Sequence, residues 1–474
     1  MHLIIENTFF WQNKRDFFSC INFINFDKIF LVSYQKIKPM TSCSFRRYLS
    51  PTLFFAVFYI SSTSAKTVVI GNGTGYISKI SMGGLVAGDV LAITPGSYSG
   101  AEFSNLHNVS IINNGALVVF KGTVSLSALK NVVISGTGAK KNFYGIQFNS
   151  FNKNAFETSG NLYGLRIYNC EFIHVDGNIL DVSDNTAVYN GDTSGIKLYK
   201  TTLANLRLSC SGVLLQGYYG THEKLTDVID SIAIYNIKID STLTSGQEIA
   251  AGGIYRMDIH DWKVIGYTID KSLLGDVGMI QTAGYGQVYN IYRHGGRGYI
   301  WRQWNTGLDL VGESYIYNVI DLATNAFGFI DTRVDSTFFK GGAKPPFTTG
   351  GNMHIVNNTI GNKTDENYVT PVVILGSQCG YKTEVRNNLA FNIKGFMINN
   401  NSGAHYDRSD SSTNLIFKGS QILDVLSDTI LCLIKNKKSP VVDRGTFIPF
   451  LKTDIGGVPR PHGDAFDIGA RECL

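Results

Sequence analysis

A short unit recurs along the chain: a β-branched aliphatic, any residue, then Asn. It stands at Ile111-Ile-Asn113, Ile167-Tyr-Asn169, Ile234-Tyr-Asn236, Val288-Tyr-Asn290, Ile316-Tyr-Asn318, Ile355-Val-Asn357 and Val385-Arg-Asn387. Weaker copies start at Ile134, Leu208, Ile259 and Ile416, and successive anchors lie 23 to 41 residues apart. Around each anchor apolar and polar residues alternate, the period of a strand with one face in a core. One such strand cannot bury its apolar side alone, so a regular recurrence predicts stacked turns that share a continuous core. Asn tolerates the left-handed backbone conformation, and its amide can bond the backbone or an Asn above and below it. Each Asn is therefore expected at a corner. Anchor spacings above about 25 residues imply loops inserted at corners.

A second set of strands fits between the first. Gly278-Met-Ile-Gln281, Gly298-Tyr-Ile-Trp301, Gly328-Phe-Ile-Asp331 and Gly395-Phe-Met-Ile398 share a Gly-apolar-apolar opening, with Gly253-Ile-Tyr255 and Val373-Ile374 as looser members. Stacked in that alignment, Ile280, Ile300, Ile330 and Met397 point inward. Gln281, Trp301 and Asp331 then share one outward position. A one-residue slip would reverse these assignments. The expected architecture is all-β, a right-handed parallel β-helix of roughly ten rungs with corner insertions. A sandwich or propeller fits the variable spacing and the Asn corners less well.

Composition agrees with short strands and tight turns. There are 50 Gly and only 10 Pro, and charged residues are 17%. The net charge of +5 is concentrated at the N-terminus. Residues 1–65 hold seven Lys or Arg and three Asp or Glu, leaving 42 − 7 = 35 bases and 37 − 3 = 34 acids. A nearly neutral remainder lacks the basic footprint that nucleic acid requires.

Within residues 40–65, Arg46 and Arg47 precede an apolar run from Leu53 to Ile60, and Thr63 and Ala65 are small residues at signal-peptidase spacing. This predicts a signal peptide over 40–65 and a mature start at Lys66, in a secreted or periplasmic protein. The run is too short to span a bilayer. Residues 1–39 show no sustained period and are set aside as a non-native extension ahead of Met40. Residues 66–474 form one expected domain. Its cysteines, at 170, 210, 379, 432 and 473, show neither a disulfide framework nor zinc spacing and read as isolated buried thiols.

Gly88-Asp-Val-Leu-Ala-Ile-Thr-Pro-Gly-Ser-Tyr-Ser-Gly100 resembles the opening rung of pectate-lyase-like parallel β-helix proteins. Asp443-Arg-Gly445, Asp454-Ile455, Arg460-Pro461 and Asp467-Ile-Gly-Ala-Arg-Glu472 resemble the closing segment of exported bacterial members. The resemblance implies that fold over residues 66–474. It leaves the chemistry open, since lyases, hydrolases, epimerases and phage tail spikes share the fold.

The densest stretch of chemical side chains is residues 287–304. Exposed Trp beside Arg is suited to stacking on sugar rings and pairing with carboxylates. The expected catalytic set is His294, Arg297, Arg302, Asp331 and Arg333. Gln281, Tyr292, Trp301, Trp304 and Trp262 are the expected substrate contacts. A uronate lyase would use Arg302 or Arg333 to neutralise the carboxylate and His294 as base, with Arg297 or Tyr292 assisting. A hydrolase would use two carboxylates, Asp331 and Asp335, with Asp309 and Glu313 nearby. Neither the polygalacturonase carboxylate pattern nor an RxPxxR-type signature is present. In Tyr255–Trp262, alternation makes Met257 and Ile259 core and Asp258 and His260 outward. A solvated face accounts for them, with cation ligation by Asp258, His260 and Asp261 as the alternative. Outward Asp residues could take calcium, but no DxDxDG loop is present to hold it. Asp454, Arg460 and Asp467 are expected to staple the last rungs. The expected activity is a lyase on an acidic, uronate-containing polysaccharide. A hydrolase or a non-catalytic glycan-binding solenoid is the alternative, with no nucleic-acid or membrane partner.

Overall fold

The computed structural model describes residues 22–26, 29–33, 64–136, 144–150, 153–182, 196–210, 213–217, 228–240, 243–244, 249–269, 278–295, 299–303, 313–322, 329–331, 353–361, 373–375, 382–391, 398–400, 405–406, 413–417 and 440–472. The chain divides into two compact units, residues 1–62 and 63–474. In the first, Asn22–Phe26 pairs antiparallel with Ile29–Ser33. The second is all-β, without helix among the described residues, and its strand pairings are parallel.

Those pairings form three long ladders. The anchor ladder runs through Val68, Leu91, Ile111, Ile134, Ile167, Leu203, Ile234, Ile259, Val288, Ile316, Ile355 and Val385, each in register with the next. Nearly all of these are buried. The predicted anchors thus share one ladder, except two. Leu208 pairs with Phe172 and Ile416 with Ala390, both in the second ladder. Leu203, followed two residues later by Asn205, takes the anchor position instead.

The corner after the anchor ladder is a column of left-handed residues. Asn169, Asn205, Asn236, Asp261, Asn290, Asn318, Asn357 and Asn387 all have φ between 52° and 57°. Their side chains connect neighbouring strands: Asn236 donates to Asn205, Asn290 to Asp261, Asn318 to Asn290 and Asn387 to Asn357. Only Asn, Asp and Gly enter this region at small cost, and the short amide also satisfies its neighbour. Asn113 departs from the expectation. It ends the strand Ser110–Asn113 without a left-handed backbone, and its amide donates to the Ala116 carbonyl.

The second ladder follows this corner. Its inward line is Tyr98, Phe120, Phe148, Phe172, Leu208, Ile239, Val264, Arg293, Asp321, Ile360 and Ala390. The aromatic end is a ring stack, with Phe120–Phe148 at 5.4 Å and Phe148–Phe172 at 5.0 Å between centroids. Cys170 is a buried thiol in this region, its pKa pushed up to about 12 by burial; Cys210 is buried too.

The third ladder carries Phe156, Leu180, Leu215, Ile249, Ile280, Trp301, Ile330, Val373 and Ile398 in register. The predicted alignment here is off by one. Trp301, not Ile300, stands between Ile280 and Ile330. The outward line is therefore Gln281, Arg302 and Asp331. The cause is local: Ile300 and Trp301 both aim their amides at the Phe329 carbonyl, at 2.9 and 3.4 Å, and both are buried. Two successive buried residues hide strict alternation from the sequence. Ile254 belongs to another line, paired with Ile229 and Gly284. Met397 lies outside the described residues.

The segment 440–472 lies along the Asn corner. Asn318 donates to the Thr453 carbonyl, Asn357 to those of Asp467 and Gly469, and Asn387 to that of Thr446. Arg460, Asp454 and Asp467 do form the expected network, with a fourth member. Arg460 donates to Glu472 at 2.6 Å and to the Gly469 carbonyl, while Asp454 accepts from the Glu472 amide. Asp467 accepts from the Asp443 amide.

Candidate functional site

The described members of the expected site fall on two ladders, and several of them are buried. Trp262 and Trp301 are 1% and 0% exposed, so neither offers a ring to a sugar. Trp262 takes the first core position after the corner, and its indole Nε1 donates to the Ile234 carbonyl at 3.1 Å. Gln281 stands in line with Arg302 but is only 2% exposed. Arg293, part of the same dense stretch, points into the core. Its guanidinium bonds Asp321 in bidentate fashion, Nε to Oδ1 at 2.8 Å and an NH2 to Oδ2 at 2.7 Å, with both side chains fully buried. Tyr292 and His294 are on the outer side of the second ladder, in register with Lys263 and Ile265. His294 is exposed, and burial pushes the Tyr292 phenol up. They belong to a different ladder from Arg302 and Asp331. Arg302 is half-buried; of Asp331 only the backbone is described. Arg297, Trp304, Arg333, Asp309 and Asp335 lie outside the described residues.

The outer side of the anchor ladder is where chemical groups do converge. Alternation puts two rows on it. One row reads Ala233, Asp258, Gln287, Tyr315, His354 and Glu384; the other reads Tyr235, His260, Tyr289 and Tyr317, two residues further along each strand. Gly286 lets the Gln287 strand come in closely: a Cβ there would lie 2.0 Å from the Met257 carbonyl oxygen.

The second row is a ring stack. Tyr235 and His260 are 5.0 Å apart at 4°, His260 and Tyr289 4.7 Å at 13°, and Tyr289 and Tyr317 4.8 Å at 8°. These spacings are the strand spacing itself. Rings stacked this way cover one another's faces and present their edges, which carry the hydroxyls and ring nitrogens, to solvent.

His260 is oriented from the corner. Its Nδ1 is 2.8 Å from Oδ2 of Asp261, whose Oδ1 accepts from Asn290 at 3.0 Å. With Nδ1–H donated to Asp261, Nε2 is left as an acceptor. Two residues before His260, Asp258 is half-buried. Burial is the main cause that raises its pKa. Asp261 adds to that rise, while His260 and a hydrogen bond with the Tyr289 hydroxyl oppose it. Tyr289 is pushed up to about 12, by burial first and then by Asp258 and Asp261. The Tyr317 hydroxyl donates to Gln287 Oε1 at 3.1 Å.

Further along the same face, His354 Nδ1 meets Glu384 at 2.5 Å and its Nε2 lies 3.8 Å from Glu313. The Tyr315 hydroxyl bonds Glu313, and Arg386 pairs with Glu384 at 3.0 Å. Phe450, from the segment along the corner, packs against Tyr315, Tyr317 and His354.

Among the described residues, no group of three or more His, Cys, Asp or Glu side chains is arranged to hold a metal ion. Alternation had placed Asp258 and His260 outward. What it could not show is the register that stacks His260 on Tyr289, because those residues are 29 positions apart. In comparisons with known proteins, no family model and no curated protein matches the chain.

Proposed function

We propose that this chain is an exported right-handed parallel β-helix of the pectate-lyase-like kind, acting on a uronate-containing polysaccharide by β-elimination. The in-register parallel ladders, with each strand joined to its counterpart one turn on, support the helix. Export rests on the sequence pattern of Arg46-Arg47, the apolar run Leu53 to Ile60 and the small residues Thr63 and Ala65.

The observation that carries the reaction is His260, held by Asp261 and stacked on Tyr289, whose hydroxyl is bonded to a carboxyl of raised pKa. Elimination removes the proton α to the uronate carboxylate, forms a carbon–carbon double bond and expels the glycosidic oxygen. His260 Nε2 takes the α-proton. Tyr289, protonated at neutral pH, gives its proton to the leaving oxygen and recovers one from the Asp258 carboxyl. Gln287, with its oxygen engaged by Tyr317, turns its amide NH2 to the substrate carboxylate and stabilises the charge that builds there. This moves the reacting centre away from His294 and Arg302.

A hydrolase on the same face is the second reading, favoured by the raised pKa of Asp258, which suits an acid catalyst. Residues 66–474 incubated with pectin, alginate, chondroitin and neutral glycans separate the two. Ultraviolet absorbance from an unsaturated uronate is the expected result, lost in His260→Ala and kept in His294→Ala. Reducing ends without that absorbance would establish hydrolysis. Glycan retention with neither product would leave a binding protein. Full activity of His260→Ala would overturn the placement.

A further inference from the structure

The ring stack on the anchor face shows only edges, and sugars stack on faces. Phe450 is the exception. It meets Tyr315 at 73° and 4.9 Å, Tyr317 at 66° and 5.5 Å and His354 at 73° and 6.1 Å. Tyr315 and His354 cover each other's faces, at 4.6 Å and 8°. A ring crossing both at a steep angle therefore lies over their edges, with its plane along the ladder. Phe450 is 38% exposed, so part of this ring is open to a ligand.

Two carboxylates border this ring. Glu313 bonds the Tyr315 hydroxyl and is half-exposed, and Glu384 bonds His354. Arg386 balances the charge of Glu384, so the uncompensated repulsion of a sugar carboxylate comes from Glu313, while both carboxylates can accept from sugar hydroxyls. Asp258, Gln287, Tyr315 and His354 follow in register on successive strands. Tyr315, the ring nearest Phe450, therefore lies one strand spacing from Gln287 and two, or about 10 Å, from Asp258.

We infer that Phe450 is the stacking platform of a second subsite, which takes an uncharged sugar unit next to the elimination centre, beside the strand that follows Gln287 and Tyr289. The segment 440–472 is then part of the binding surface as well as a staple. The inference rests on the reading that a glycan runs along this face. It narrows the substrate to a polymer that places uncharged units alongside uronates.

Titration calorimetry with chondroitin hexasaccharide, which alternates uronate and uncharged amino sugar, and with hexagalacturonate tests it, using His260→Ala so that neither probe is consumed. The alternating probe is expected to bind more tightly. Phe450→Ala in that background should weaken it roughly tenfold, the size of one aromatic contact, and leave hexagalacturonate little changed. Phe450→Trp should restore binding. Phe447→Ala, at a ring that packs on Phe466 instead, should have no effect. Unchanged binding in Phe450→Ala, or equal weakening of both probes, overturns the platform, and elimination that still depends on His260 then leaves the reaction standing. If neither hexasaccharide binds, both readings fall. An unchanged melting temperature in Phe450→Ala ties the loss to the ring, and a binding loss accompanied by unfolding and not rescued by Phe450→Trp counts against it.

Discussion

Two columns of aromatic rings run along this molecule, one inside and one outside. The inner column is Tyr98, Phe120, Phe148 and Phe172; the outer is Tyr235, His260, Tyr289 and Tyr317. Both arise because in-register parallel strands set like positions one strand spacing apart. Their surroundings differ. The inner rings are sealed in apolar neighbours and contribute by burial. The outer rings are interleaved with Asp258, Asp261 and Gln287, and their exposed edges carry polar atoms. The same stacking thus seals rings in the core in one place and lines up polar ring edges in the other, according to which way alternation turns the side chain.

The comparison breaks most visibly at Phe148. Phe148→Ala opens a cavity between Phe120 and Phe172, and its expected cost is about 3–5 kcal/mol, read from the denaturation midpoint. Tyr289→Phe is the converse. The ring stack is retained and stability should move by about 1 kcal/mol or less. On the proposed mechanism the elimination rate should fall by roughly 10²–10⁴, because the hydroxyl assigned to protonate the leaving oxygen is gone. Comparable stability loss in the two variants would erase the distinction between the columns.

Asp261→Asn sharpens it further. Asn is the residue that every neighbouring corner already uses, so the backbone should be unaffected. Only the charge that orients His260 is lost, and turnover should drop at least about tenfold with the melting temperature unchanged. Asp258→Asn is read against pH. A carboxyl whose folded pKa is raised supplies its proton below that value and loses it above, so wild-type rates should fall as pH rises through it. The variant should lose that limb. The same carboxyl contributes stability that is present below the ordinary carboxylate value and is lost as pH rises through its folded value. The stability difference between wild type and Asp258→Asn should therefore shrink in the same direction.

The anchor ladder was legible in the sequence because a β-branched residue with Asn two places on states both an inward position and a corner. Ile167, Ile234, Val288, Ile316, Ile355 and Val385 all keep that register. Leu203 escaped because its neighbour Leu208 fits the apolar pattern equally well. The third ladder misled by one residue because Ile300 and Trp301 are buried in succession. The site was harder to find for a different reason. Density of Arg and Trp along the chain measures closeness in sequence, while these rows are assembled across strands. Arg293 shows the consequence: it looks like part of a surface cluster, yet its Asp321 partner comes from the next strand of the second ladder and both are in the core. Asp258 and His260 were visible as an outward pair, but Asp261 read as one more solvated acid until it took its place in the Asn column.

The segment 440–472 also has a bearing on time. Its bonds reach back across the chain, from Thr453 to Asn318, Asp467 to Asn357 and Thr446 to Asn387, separations of 135, 110 and 59 residues. Ladder strands can pair as they leave the ribosome, each on the one before it. These contacts cannot form until residues 440–472 have been made. A nascent chain would therefore carry His260, Tyr289 and Asp258 stacked on their strands while Phe450 was still to be synthesised. The face would be complete only once that later segment had been added.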